Sequence, residues 1–397
     1  MKEVRQSLDL LDNWIERNGW AGYDPYDIKG TKFFLLLQRN KYANFCSNLF
    51  LNRFPMLSRK VFRVKKEINA KAMALFARGY LNLYKKSGDE KYLNKAVFCL
   101  NWLIENPSKG YSGFCWGYPF DWQSRVFIPK GTPSGVVTST AAHAFLDAYE
   151  ILKDEKYLEI TKSCCDFILN DLNIDEADKD KICFSYTPID HFHVHNASLF
   201  SASTLLRTFT HIKNEKYKEK GIKAINFTVS HQNEDGSWYY WAPPDKLLYN
   251  IDNYHTGFVL ECLNIGRRVL GNEFKYKKEL RKGLKFYAEN LFLEDGTPKL
   301  TNKSTYPIDI HSCAQAIITF HELADFEPKY LSIAEKVSRW TIRNMQDKEG
   351  YFYYRIYKNR VDKMPYIRWG QAWMLRGMNY GVVKEHLIIS RRERDGN

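Results

Sequence analysis

A chain of 397 residues, 44% hydrophobic and 26% charged, excludes a disordered or fibrous protein and leaves room for one large core. No window reaches about 18 consecutive apolar residues, so no membrane-spanning helix is expected. The net charge of +13 favours an anionic partner. The basic residues read as scattered among acids and no nucleic-acid motif stands out, so the expected partner is an acidic carbohydrate or small molecule.

The N-terminal "MKEVRQSLDLLDNWIERNGW" is a charged amphipathic pattern, without the basic stub and apolar run of a signal peptide. The eight cysteines show no C-x-x-C spacing and read as reduced core thiols, so a cytoplasmic protein is expected. After the loop "GWAGYDPYDIKG" comes a helical pattern at 32–50, "KFFLLLQRNKYANFCSNLF". The chain then becomes periodic. A short turn motif recurs as "SGDEKYL", "LKDEKYL", "IKNEKYK", "GNEFKYK" and "ADFEPKYL". Its tyrosines, Tyr92, Tyr157, Tyr217, Tyr276 and Tyr330, are 54 to 65 residues apart, which marks a repeat architecture.

Each copy joins two helical patterns. The segment before it, such as "VVTSTAAHAFLDAYEIL", is apolar on most sides; the one after it, such as "KYLEITKSCCDFILND", has one polar face. Helices apolar all round belong inside, and amphipathic ones outside. A sixth inner pattern, "RWGQAWMLRGMNYGV" (368–382), has no outer partner after it, and 32–50 is expected to supply one. The pattern predicts an all-α fold, an (α/α)6 toroid of six helical hairpins. Residues 1–382 would form it, closed by the N-terminal helices, with a basic tail at 383–397. Short β-ribbons are expected in the loops at "GSWYYWA" and "GYFYYRIY".

In such a ring all the long outer-to-inner loops open on one face, where function concentrates. Those loops carry Tyr23 and Asp24; Trp116, Tyr118, Asp121, Trp122, Gln123 and Arg125; and His193, His195, Asp252, Tyr254, His255, Asp309, His311, Arg368, Trp369 and Gln371. The run "IDHFHVHNAS" places His191, His193 and His195 at alternating positions. It lacks the paired ligand spacing of a zinc site, so the histidines read as substrate donors and no metal or other cofactor is expected.

With these loops in view the chain resembles, over residues 20–382, the six-hairpin glycosidase-like superfamily, which includes hydrolases, polysaccharide lyases and sugar epimerases. "RWGQAW" (368–373) is similar to the R-G-Q-A-W stretch of unsaturated glucuronyl hydrolases, with Trp369 intervening. "NYHTGFVLECL" (253–263) is similar to the Y-H-T segment in the helical domain of glucuronyl C5-epimerases. The resemblance implies an enzyme acting on an acidic, uronate-containing oligo- or polysaccharide. Glycoside hydrolysis ranks first, with Asp121 and Asp252 as its carboxylates. Lyase or C5-epimerase chemistry through Tyr254 and His255 is the alternative. The remaining loop residues would bind substrate, the tryptophans by stacking on sugar faces. Two further readings stay open: a non-catalytic glycan-binding protein, and a terpene-cyclase-like helical protein, since "QNEDGSWYYW" (232–241) fits a turn repeated in triterpene cyclases.

Overall fold

The recurring Asp/Asn-Glu-Lys-Tyr motif is a helix cap in the computed structural model, which describes residues 2–37, 40–243 and 250–382. The side chains of Asp89, Asp154 and Asn214 accept hydrogen bonds from the backbone N–H groups of Lys91, Lys156 and Lys216. Each starts an outer helix by satisfying an otherwise orphaned donor. Just before each cap, Gly88, Lys153 or Lys213 adopts the left-handed conformation that closes the inner helix. Copies four and five are built differently. Short 3-10 turns, Gly271–Glu273 and Pro328–Tyr330, replace the side-chain cap.

In chain order the first helices are α1 (Lys2–Asn18), α2 (Lys32–Leu37), α3 (Lys41–Arg53) and α4 (Pro55–Val61). Five hairpins follow. They pair α5 (Ala70–Ser87) with α6 (Glu90–Glu105), α7 (Gly135–Leu152) with α8 (Glu155–Asn170), and α9 (His195–Ile212) with α10 (Glu215–Ser230). The last two pair α11 (Asn253–Leu270) with α12 (Lys277–Asn290) and α13 (Ile310–Glu322) with α14 (Leu331–Met345). A wide π-type turn, Ile367–Ala372, then leads into α15 (Trp373–Met378). Each inner helix packs on the next, and α15 returns to α5, so the toroid closes as the sequence predicts.

The sixth outer helix is α1, which packs against α14 and α15. This corrects the expectation that 32–50 would fill that place. The side chain of Asn40 accepts N–H bonds from Tyr42 and Ala43, so a new helix starts inside that stretch and splits it into α2 and α3. These helices instead pack on one another, on α4 and on the 3-10 turn Asp27–Gly30. Meanwhile α1 buries Leu8, Leu11 and Ile15 in the ring.

Close approach of the inner helices is built into their small residues. At Gly257 a Cβ atom would lie 2.6 Å from Gln315 Cγ. Further along, the inner helices are tied by ion pairs, the buried Arg376 with Glu261 and the half-buried Arg78 with Asp147 at 2.7 Å. Strands are short and confined to loops. The longest pair joins Ile174–Asp178 to Lys181–Phe184, and Arg355–Tyr357 pairs with both Ile308–Asp309 and Arg360–Asp362. The second expected ribbon therefore forms at its C-terminal end. In the first, Trp241 makes an isolated bridge to Val194. The expected basic tail, 383–397, lies outside the described residues.

Candidate active site

All six inner helices start at the same face, and their first turns converge on one cavity of about 110 Å³. Its floor carries a side chain from the start of each: Lys71, Val136, Asn196, His255, His311 and Arg368. Six helix N-termini aimed at one space favour negative charge there. The walls are aromatic: Tyr26, Tyr118, Phe120, Trp122, Tyr186, Tyr240, Tyr254, Phe258 and Trp369. None of the described lining residues is an aspartate or glutamate.

One histidine is oriented by a carboxylate. Asp252 caps α11 by accepting the His255 N–H at 2.9 Å, and its second oxygen lies 2.7 Å from His255 Nδ1. The bond assigns the proton to Nδ1 and leaves Nε2 as the free acceptor. Tyr254 lies between two imidazoles, tilted against both, with ring centroids 4.3 Å from His255 and 4.8 Å from His311. Burial pushes the Tyr254 phenol well above its usual range, so it stays protonated. The buried His311 is enclosed by Trp369 and Trp373, and neither of its ring nitrogens has a hydrogen-bond partner. Burial, reinforced by Lys71 and Arg368, keeps it neutral. Asn196 Oδ1 is buried and unpartnered as well. Such groups are costly unless a ligand or water satisfies them.

The cations differ in how they are held. Arg368 donates through Nε and Nη2 to the two oxygens of Asp24, at 2.5 and 2.7 Å, in a buried bidentate pair. Burial opposes its charge, and Asp24 more than compensates. Lys71 instead faces rings, its amine 5.3 to 5.8 Å from those of Trp373, Phe258 and Phe200. Burial, with Arg368 nearby, lowers its pKa well below the usual lysine range. Asp309 is fully buried: it caps α13 through the His311 N–H and accepts bonds from the Trp369 indole and Arg355.

Of the residues singled out in the sequence, Tyr118, Trp122, Tyr254, His255, His311, Arg368 and Trp369 line this cavity. Asp24, Asp252 and Asp309 stand one layer behind, holding Arg368, His255 and Trp369. The others lie elsewhere. Asp121 accepts the Lys130 N–H on the rim hairpin, where Gln123 bonds the Ser124 carbonyl. Arg125 stacks on Trp241, and Tyr23 lines a neighbouring cleft beneath Arg59. Trp116 is core, its indole donating to the Leu103 carbonyl, and Gln371 clamps the backbone of Phe352. His191 and His193 both grip Asp175, at 2.9 and 2.8 Å. His195 packs among Phe227 and His231, and burial lowers its pKa to about 3. Among the described residues no group of three or more histidines, cysteines or acids is arranged to hold a metal ion.

Lys71, Tyr186 and Tyr240 escaped the sequence reading. Lys71 looked like one polar residue in the apolar run "AKAMALFARGY". The signal that locates it is position, because it follows the cap Asn69 by two residues, as His311 follows Asp309.

No family model matches the chain, and no curated protein matches it. Solved structures do. An unsaturated glucuronyl hydrolase specific for heparin superposes with a TM-score of 0.65 at 11% identity, covering 97% of both chains. A sugar epimerase from a ruminal bacterium gives 0.64 at 15% identity, over 81% of this chain and 90% of that one. Cellobiose 2-epimerase from Bacillus thermoamylovorans gives 0.65 at 12%, with the same coverage. The likeness concerns the fold: these neighbours are (α/α)6 toroids.

Proposed function

We propose that the chain is a carbohydrate-active enzyme that moves a proton on an acidic sugar, by epimerase or lyase chemistry, in the cavity at the start of the inner helices. The observation that carries this reading is the Asp252–His255 pair beside Tyr254, in a wall with no described carboxylate. His255 Nε2 takes the proton from the carbon next to the uronate carboxylate. Lys71, recharged by the bound carboxylate, and the unspent N–H groups of Arg368 stabilise the enolate that forms. The protonated phenol of Tyr254 returns a proton to the carbon, giving the epimer, or to the departing oxygen, giving the unsaturated lyase product. The aromatic walls supply faces for the sugar ring.

Hydrolysis, ranked first from the number of loop carboxylates, loses support. It needs one carboxyl group as acid and a second as base or nucleophile, both beside the scissile bond. Asp24, Asp252 and Asp309 are engaged by Arg368, His255, Trp369 and Arg355, and Asp121 sits on the rim. The neighbours' names include both a hydrolase and epimerases, which agrees with a sugar substrate and leaves the chemistry to the site.

A panel of uronate-containing oligosaccharides tests the proposal. His255→Ala and Tyr254→Phe should each lower turnover on the order of 10²–10⁴-fold, while Asp121→Asn retains it. If Asp121→Asn is inactive and Tyr254→Phe is normal, hydrolysis is the better reading. Tight binding without turnover by the unaltered chain would make this a glycan-binding protein.

A further inference from the structure

The helices between α1 and the first hairpin break the usual rule that an amphipathic helix turns its apolar stripe inward. On α3 the stripe Tyr42, Phe45, Leu49 and Phe50 follows helical spacing yet faces solvent, 42 to 81% exposed. It continues onto α4 with Leu57 and Val61. Seventeen large hydrophobic residues are exposed among the described residues, and ten of them fall within 33–61. The small core of this region, Ile28, Phe34 and Leu51, is already filled. A monomeric soluble protein rarely leaves so much contiguous apolar surface uncovered.

The charge of the same segment names the occupant. Residues 40–66 contain seven lysines and arginines and no acid, so 27 residues supply more than half of the net +13. Arg53, Lys60, Arg63, Lys65 and Lys66 are exposed beside the apolar stripe. A second copy of the chain would bring one such cationic face against another. An anionic lipid surface meets both features at once: headgroups pair with the cations while the rings and leucines enter the acyl boundary. No described helix is long and apolar enough to cross a membrane, so the contact is with one surface.

We propose that α3 and α4 form a docking surface that seats the chain on an anionic lipid bilayer. The surface is tied to the cavity. Arg59 of α4 is buried and pairs with Asp27 at 2.6 Å and with the Asp24 carbonyl at 2.7 Å, and Asp24 in turn holds Arg368.

The test is co-sedimentation of the full chain with phosphatidylcholine vesicles, with and without phosphatidylglycerol. Binding should require phosphatidylglycerol and weaken as salt is raised. Lys60→Gln with Lys65→Gln should weaken it roughly thirtyfold, at about 1 kcal/mol per basic residue. Phe45→Ser with Leu49→Ser should abolish it while helical content by circular dichroism is unchanged, since both side chains are exposed. Absence of vesicle binding at low salt would overturn the proposal, as would unchanged binding by both variants. So would sedimentation equilibrium showing that the unaltered chain buries the patch in a stable dimer that the Phe45→Ser, Leu49→Ser variant no longer forms.

Discussion

Lys71 shows how one residue can cost stability and serve a site. Its amine is buried among aromatic rings with a strongly lowered pKa, so the folded chain resists the charged form that the unfolded chain carries at neutral pH. A bound carboxylate would restore that charge. Lys71→Met keeps the length of the side chain and removes the ionisable group. The variant should unfold at a higher temperature than the unaltered chain, by about 1–3 kcal/mol in stability, while losing affinity for acidic oligosaccharides. Equal affinity in the variant would remove Lys71 from the site. His311 follows the same logic, since both of its ring nitrogens are buried without a partner beside Tyr254.

At the scale of elements, the tight turns between inner and outer helices carry a measurable strain. Gly88, Lys153 and Lys213 occupy equivalent left-handed positions, with φ of 69°, 59° and 59°. A lysine there is held against its backbone preference, which costs roughly 1–2 kcal/mol; glycine avoids that and gives back part of it in unfolded-state entropy. Lys153→Gly and Lys213→Gly should each stabilise the chain by about 0.5–1 kcal/mol in urea unfolding, and Gly88→Ala should destabilise it. Elements were legible in the sequence where periodicity and capping agree, as in the Asp89, Asp154 and Asn214 turns. They were not where two helices competed for one role. Both α1 and the 32–50 stretch are amphipathic; the deciding facts are the cap at Asn40 and the destination of each apolar stripe. The stripe of α1 goes into the ring and that of α3 into solvent, and only packing tells them apart.

For the whole molecule, the charge is partitioned. Most of the ring mixes basic and acidic residues, whereas 40–66 carries seven positive charges and no negative one, an imbalance that the sequence reading averaged away. The convergence of the loops on one cavity was legible because hairpin polarity alone puts every outer-to-inner loop on one face. Its inner composition was not, because side-chain direction in an irregular loop or a wide turn follows no fixed period. Trp116 turns into the core two residues before Tyr118 reaches the cavity, and Gln371 turns away two residues after Trp369. That ordering puts histidine and tyrosine at the cavity in place of the loop carboxylates, and we propose that a proton moves on carbon there. Incubating the chain with a uronate-containing oligosaccharide in heavy water tests it most directly. An epimerase leaves deuterium on the carbon beside the carboxylate of the recovered sugar and a lyase leaves an unsaturated, ultraviolet-absorbing end, and either product should be lost in His255→Ala; cleavage to saturated ends with no deuterium at that carbon would show hydrolysis instead.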